Sequence, residues 1–246
     1  MVSLVASSAF SYPKNSSREN QDSILSPRKF LDGFIFAVAD GIGSYQGAKE
    51  ASTLVISCLE QWPEDEIEFD VNLVFEKLKF KIRELSQSSE NYSSAATTLT
   101  FCFINSAGLH IGHIGDCRLY IKNGMKLKKV TKDHTQHQKL IDDKVFSAKE
   151  LKGKPGKNIL VTAISSITPM VWDSIFIPHS ELYEDDGQIS VYIMSDGAHH
   201  FWEERPRFSI KTMSSMVRFS SSLLNRIERK GSIDDYSLVS ASIRLK

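Results

Sequence analysis

Three short β-rich runs follow one another in the middle of the chain, Thr97 to Ile104, Gly108 to Ile114 and Arg118 to Lys122. Turn-forming residues bound them, Asn105-Ser106-Ala107-Gly108 after the first and Asn123-Gly124 after the third. Short runs so closely spaced read as an antiparallel meander. Further strands are expected in the N-terminal MVSLVASSAF, from Asn158 to Ile164 and from Ser174 to Ile177. Helices lie elsewhere. Gly47 to Trp62 puts Ala51, Leu54, Val55, Cys58 and Leu59 on one face, and Pro63 stops it. Asn72 to Gln87 does the same with Leu73, Phe75, Leu78, Ile82 and Leu85, and Ile210 to Arg229 reads as a third helix. Glu64 to Asp70 reads as a solvated connection, Ser86 to Ser94 as a polar loop, and His134 to Lys157 as a polar helical excursion ending in a loop. Helices grouped beside long antiparallel runs mean α+β, not alternating βαβ.

Four apolar runs have acids at their edges. VYIMSDG ends in Asp196-Gly197 and FIFAVADG in Asp40-Gly41. Asp116 follows Gly115 in LHIGHIGDCRLY, and Asp234-Asp235 precede YSLVSASI. Asp-Gly between apolar runs is an ordinary hairpin signal, because both residues tolerate positive φ. Four such edges each need their own turn, however, whereas one shared site would account for all of them. Carboxylates without a cysteine or histidine set suit a hard cation, Mg²⁺ or Mn²⁺. A neighbouring glycine lets a ligand approach the backbone.

Composition excludes several other classes. The 246 residues carry 30 Lys+Arg against 30 Asp+Glu, so there is no electrostatic footprint for nucleic acid. No apolar run approaches the ~20 residues a membrane helix needs, so no membrane partner is expected. The first cation after Met1 is Lys14, too late for a secretory signal. Cys58, Cys102 and Cys117 form no CxxC pair, which suits a reducing, cytoplasmic setting and argues against disulfides or thiolate zinc.

Seven segments taken in order sharpen the reading: ENQDS (19–23), FAVADGIGS (36–44), ATTLTF (96–101), IGDCRLY (114–120), VTKDHT (130–135), VYIMSDG (191–197) and DDYSLV (234–239). Together they resemble the type 2C metal-dependent serine/threonine protein phosphatases, in a bacterial-like short form. The resemblance runs from Glu19 to about Ile243. It implies one domain over residues 1–246, with two stacked antiparallel sheets flanked by helices in four αββα layers and a small flap near 134–157. It also implies hydrolysis of phosphoserine and phosphothreonine in proteins by a metal-activated water at a binuclear Mn/Mg centre. The implied partners are phosphorylated proteins, with a Ser/Thr kinase acting on the same targets.

Residue by residue, Asp40 resembles the acid bridging two ions, and Gly41 the residue that gives one of them a backbone carbonyl. Asp196 and Asp234 resemble the carboxylates that complete the other shell, and Asp116 a ligand of a weaker third ion. Asp22 matches the acid that ends the first motif, and Gln21 stands where a water-mediated Glu is frequent. The arginine that grips phosphate belongs at Ser17; Arg18 is one residue late, and Lys14 is a substitute point charge without the bidentate fork. His200 takes the place of a second acid for the third ion, and Ile42 that of a histidine general acid. Ser44 replaces a glycine and Cys117 a serine. Asp133-His134 is expected to be a structural turn, and His110 and His113 packing or solvated groups. His199 is expected to be a strand-end polar residue, Asp235, Asp185 and Asp186 loop acids, and Asp142-Asp143 solvated surface. Two other functions fit the same residues: a catalytically silent relative that binds a phosphoprotein or partner, and a hydrolase of small phosphoesters.

Overall fold

The structure is a computed structural model describing residues 2–43, 45–63, 69–182 and 187–245. Ser44, the acidic stretch 64–68 and the expected loop acids Asp185 and Asp186 lie outside them. Two five-stranded sheets dominate, and every pairing in them is antiparallel. The first runs β1 (Val2–Tyr12), β12 (Tyr236–Leu245), β11 (Gln188–Met194), β7 (Arg118–Asn123) and β8 (Lys126–Lys129). The second runs β10 (Asp173–Pro178), β6 (Gly108–Ile114), β5 (Leu99–Ile104), β3 (Gly33–Asp40) and β2 (Asp22–Phe30). A two-stranded ladder joins β4 (Ala96–Thr97) to β9 (Ile164–Ser165).

Side-chain alternation explains the stacking. On β3, Phe36 and Val38 enter a core shared with Leu119 of β7, Val191 and Ile193 of β11, and Val239 and Ala241 of β12. Ile35, Ala37 and Ala39 point the other way. They pack on Ala51, Val55 and Leu59 of α1 (Ala48–Glu60) and on Val74, Phe75, Leu78 and Ile82 of α2 (Val71–Ser88). Beyond the first sheet, Tyr192, Met194 and Leu238 meet Phe201 and Trp202 of α5 (Asp196–Glu204) and Phe219, Leu223 and Ile227 of α7 (Met216–Lys230). The layers are therefore α, β, β and α. Because β3 and β11 are covered on both faces, their sequences are continuous apolar runs.

Several expectations shift. The meander breaks after β6. At Gly115 (φ 107°) the chain leaves the second sheet, and β7 pairs with β11 and β8 in the first. A Cβ at Gly115 would come within 2.4 Å of the Thr98 side chain, so the crossing needs a glycine. Asp196-Gly197 is no hairpin turn, because α5 begins at Asp196. The helix expected from Ile210 to Arg229 is two, α6 (Ile210–Met213) and α7. Ser215 breaks the run by capping α7, its hydroxyl accepting the Arg218 N–H. Leu73 is 48% exposed, so the buried face of α2 runs through Val71, Val74 and Phe75 instead. The polar loop starts later than expected, since α2 reaches Ser88 and a short 3₁₀ turn covers Glu90–Tyr92. Of the strand expected at 158–164, only Ile164 enters a ladder, with an isolated bridge from Leu160 to Thr135. Between His134 and Lys157 stand α3 (Gln136–Asp142) and α4 (Ala148–Leu151).

Candidate metal and phosphate site

The ends of β3, β11 and β12 and the Gly115 crossing meet at one edge of the sandwich. There Asp40, Gly41, Asp116, Asp196 and Asp234 line a common cleft of about 290 Å³. Arg18, Gln21 and Asp235 line it as well. Each element holds its acid by backbone contacts. The Asp40 carbonyl accepts from the Thr98 N–H (2.8 Å) and the Thr97 hydroxyl (2.9 Å), and the Asp40 N–H reaches the Thr98 hydroxyl at 3.1 Å. The ATTLTF segment thus fixes the end of β3. Gly41 is packed between backbones: a Cβ there would lie 2.5 Å from the Ala48 carbonyl oxygen and 2.8 Å from that of Gln21. Asp196 begins α5, and Gly197 lets that helix touch the 234–235 segment.

The electrostatics are those of crowded carboxylates. Burial, then Asp22, Asp196, Asp116 and Asp234, push Asp40 well above the usual carboxylate range. Burial, then Asp196 and Asp133, push Asp116 up, and burial and Asp234 carry Asp196 to about 6. Asp22 pairs in register with Asp40 but sits beneath the cleft, 1% exposed. Its Oδ2 accepts the Ser195 hydroxyl at 2.8 Å, and its Oδ1 has no partner. Burial carries this carboxyl up to about 7 against the pull of the Ser237 and Ser195 hydrogen bonds.

An all-oxygen donor set with an unpartnered buried carboxylate oxygen and mutually repelling acids fits a hard divalent cation. Among the described residues no three His, Cys, Asp or Glu side chains form a ready-made ligand cluster. The acids share a cleft without closing on one point, which suits a cation that keeps several of its own waters.

Other expected residues fall as follows. The Arg18 guanidinium stands at the cleft, its Nη2 donating to Gln21 Oε1 at 3.2 Å. Lys14 stays out of the lining. His200 does too, its ring edge-on to Phe201. Ile42 is at the cleft and offers no proton. Asp133-His134 is structural: Arg118 Nε donates to Asp133 at 2.8 Å, and a second guanidinium nitrogen bonds its other oxygen. Arg118 also bonds Glu203 of α5, which accepts the Tyr120 hydroxyl at 2.7 Å. His113 is fully buried between the Thr100 hydroxyl and the Lys132 carbonyl, while His110 packs among Phe69, Phe103 and Phe176. Asp142 and Asp143 are exposed and pair with Lys132 and Lys139.

Two residues prove more than their sequence reading. His199 is buried on α5, not a strand end. Burial holds its imidazole well below the usual range, and because a carbonyl only accepts, Nε2–H donates to that of Asp116 at 3.2 Å. Three residues after Asp196, it ties that acid's helix to the Asp116 crossing. Asp235 is no solvated loop acid: it is 5% exposed and accepts two backbone N–H groups, from Lys14 and Gln21.

Known proteins resemble this chain in sequence and in fold. A Mycobacterium tuberculosis serine/threonine protein phosphatase, PstP, is 28% identical over 153 residues, 59% of this chain and 28% of the relative. The Listeria monocytogenes serine/threonine phosphatase stp is 26% identical over 152 residues, 58% of this chain and 60% of the relative. The matched stretches are thus less than two thirds of either relative's length. A crystal structure of the catalytic domain of PstP, in complex with two manganese ions, superposes with a TM-score of 0.73 at 20% identity over 100% of both chains. The family model for protein phosphatase 2C matches residues 14–236. That span takes in every acid of the cleft, and the chain belongs to the protein phosphatase 2C family.

Proposed function

We propose that this chain hydrolyses phosphoserine and phosphothreonine in proteins, in a cleft whose acids hold two Mn²⁺ or Mg²⁺ ions. One observation carries the reading: Asp40, Asp116, Asp196 and Asp234 share a single cleft with a guanidinium, Arg18, beside them. Acids alone would repel a phosphate dianion, so a phosphate site here needs cations, and the donor set is of the kind that binds them. Asp40, the Gly41 carbonyl, Asp196 and Asp234 would hold the two ions, and Asp116 a weaker third. When bound, such ions supply Lewis acidity at the phosphoryl oxygens and lower the pKa of water.

The chain's own residues do the rest. Arg18 binds the phosphate through its planar fork, and its hydrogen bond to Gln21 aims it across the cleft. Thr97 and Thr98 hold the Asp40 backbone, and so the point from which its carboxylate enters the cleft. Asp22 lies behind Asp40, and when ionised it adds negative charge that favours a cation in front. In the reaction a water oxygen forms a bond to phosphorus and the bond from phosphorus to the Ser or Thr oxygen breaks. That oxygen leaves as the hydroxyl with a proton from the water. Among the described residues no histidine lines the cleft, so solvent water is the proton carrier.

The test is phosphate release from a phosphothreonine peptide with Mn²⁺, Mg²⁺ or EDTA. Turnover with either ion, abolished by EDTA, is expected. Tight phosphopeptide binding without turnover under all three conditions would make the chain a silent binding module.

A further inference from the structure

We propose that Asp235 is a positioning residue that sets the loop carrying Arg18 against the candidate metal ligands. The inference rests on the reading of Arg18 as the phosphate grip. Residues 14–21 leave β1 and return into β2 as a loop along the cleft. Both ends of that loop hang from one side chain. Asp235 Oδ1 accepts the Lys14 N–H at 2.7 Å, and Oδ2 accepts the Gln21 N–H at 2.7 Å. The Ser232 hydroxyl donates to the Lys14 carbonyl, adding a second tie at the same end.

Between the ties the loop is braced on itself. Asn15 Oδ1 accepts from the Ser17 N–H and hydroxyl, and the Asn15 carbonyl accepts the Arg18 N–H at 3.2 Å. The guanidinium then rests on Gln21 Oε1, whose own backbone N–H is the one Asp235 holds. Gly43 leaves the space: a Cβ there would lie 2.6 Å from Gln21 Oε1 and 3.5 Å from Arg18 Nη2. The position of Arg18 is thus set from two sides, by the internal turn and through Gln21 by Asp235.

The two consecutive acids divide the work. Asp234 is exposed at the cleft, and its Oδ1 accepts the Asp235 N–H at 3.0 Å. Asp235 is turned inward with both oxygens engaged. Only a carboxylate can accept on both oxygens at once. An asparagine would offer one oxygen and set its NH₂ against the other N–H. Because Asp234 and Asp235 are adjacent, the same backbone that presents a candidate ligand presents the anchor of the phosphate grip.

The experiment uses the full chain with Mn²⁺ and a phosphothreonine peptide, comparing Asp235→Asn, Arg18→Ala and the double variant. Asp235→Asn is expected to raise KM about tenfold while kcat stays within about threefold, because a displaced binding group loses affinity before chemistry. The Mn²⁺ half-saturation concentration should not move. In the Arg18→Ala background the same change should add less than about threefold, since its effect passes through Arg18. Hydrogen exchange gives a readout independent of turnover: the Lys14 and Gln21 amides should exchange at least about tenfold faster, with the β5 amides unchanged. If Asp235→Asn does not fold, Ser232→Ala, which removes only the tie to the Lys14 carbonyl, should shift KM and Lys14 exchange the same way by about threefold. Unchanged exchange at Lys14 and Gln21 overturns the proposal. So does a tenfold loss of Mn²⁺ affinity with normal exchange, which would make Asp235 a ligand. Arg18→Ala without effect on KM defeats the Arg18 reading instead, and the exchange data separate the two failures.

Discussion

Replacing Gly197 with alanine sets two effects against each other, and the structure decides between them. Gly197 is the second residue of α5, where alanine is the better helix former by about 1 kcal/mol. Propensity alone therefore predicts a more stable protein. The space is absent, however. A Cβ on Gly197 would lie 2.1 Å from the Asp235 carbonyl oxygen, 3.0 Å from its carbon and 3.2 Å from the Asp234 carbonyl oxygen. All three atoms are backbone, so no rotamer change relieves the contact. Bringing the closest pair to an ordinary separation of about 3.4 Å requires α5 and the 234–235 segment to part by more than about 1 Å.

Overpacking costs about 1–3 kcal/mol, and a clash with three backbone atoms that no rotamer relieves falls at the upper end of that range, about 1–2 kcal/mol beyond the gain in propensity. At roughly 2–4 °C per kcal/mol for a chain of this length, Tm should fall by several degrees. The functional cost is larger, because the two parts forced apart carry Asp196 and Asp234. A misplacement of about 1 Å in a positioned site costs about a hundredfold in rate. The assay pairs a thermal melt of the metal-free chain with phosphopeptide turnover over a Mn²⁺ titration. A variant that melts at or above the wild type and turns over within threefold of it would refute the argument, because α5 and the 234–235 segment could not then be in contact.

Asp40→Asn should cut Mn²⁺-dependent turnover well over tenfold, more than about 1.4 kcal/mol of barrier, while a melt shows the fold intact; near-normal turnover would remove Asp40 from the centre of the site. Arg18→Ala should raise KM for a phosphopeptide about ten- to a hundredfold, the worth of a charge-assisted phosphate contact, without changing calorimetric Mn²⁺ binding. Burial lowers the folded-state pKa of His113 from 6.5 to about 4, so the unfolded chain binds the extra proton and stability is lost as pH falls from about 6.5 towards 4. His113→Asn should therefore flatten the decline between pH 7.5 and 5 by about 2 kcal/mol in denaturant titrations; parallel curves for the two proteins would show that His113 titrates normally in the fold.

The sequence showed strand existence well and strand partnership poorly. The apolar runs of β3, β5, β6 and β11 were legible because burial on both faces leaves no room for polar residues. Nothing in the β7 pattern says which sheet it joins. A meander and a crossing to the other sheet differ only at Gly115, a single positive φ inside GDC. Asp196-Gly197 was ambiguous for the same kind of reason. Strand-then-Asp-Gly is shared by a hairpin and by a strand-to-helix turn. The discriminating signal lies downstream, where Ala198, Phe201 and Trp202 repeat at helical spacing and pack together in one core.

The candidate ligands were legible for a different reason: Asp residues at strand ends stand out against apolar runs, whereas the residues that hold them do not. Asp235 shows where the information was. Along β12, Val239, Ala241 and Ile243 enter the core between the sheets, while Tyr236 and Leu238 face the helices. Counting back by twos from Val239 through Ser237 carries the inter-sheet side to Asp235. Asp234 falls on the opposite parity, with Tyr236. Ser237 is itself fully buried, and its hydroxyl bonds Ser11, its partner on β1, so the alternation holds down to the second residue of β12. A buried carboxylate on that side must find donors. The nearest chain there is the turn between β1 and β2, which supplies two N–H groups and carries Arg18. In DDYSLV, strand parity thus separates a residue that faces the cleft from one that builds its wall.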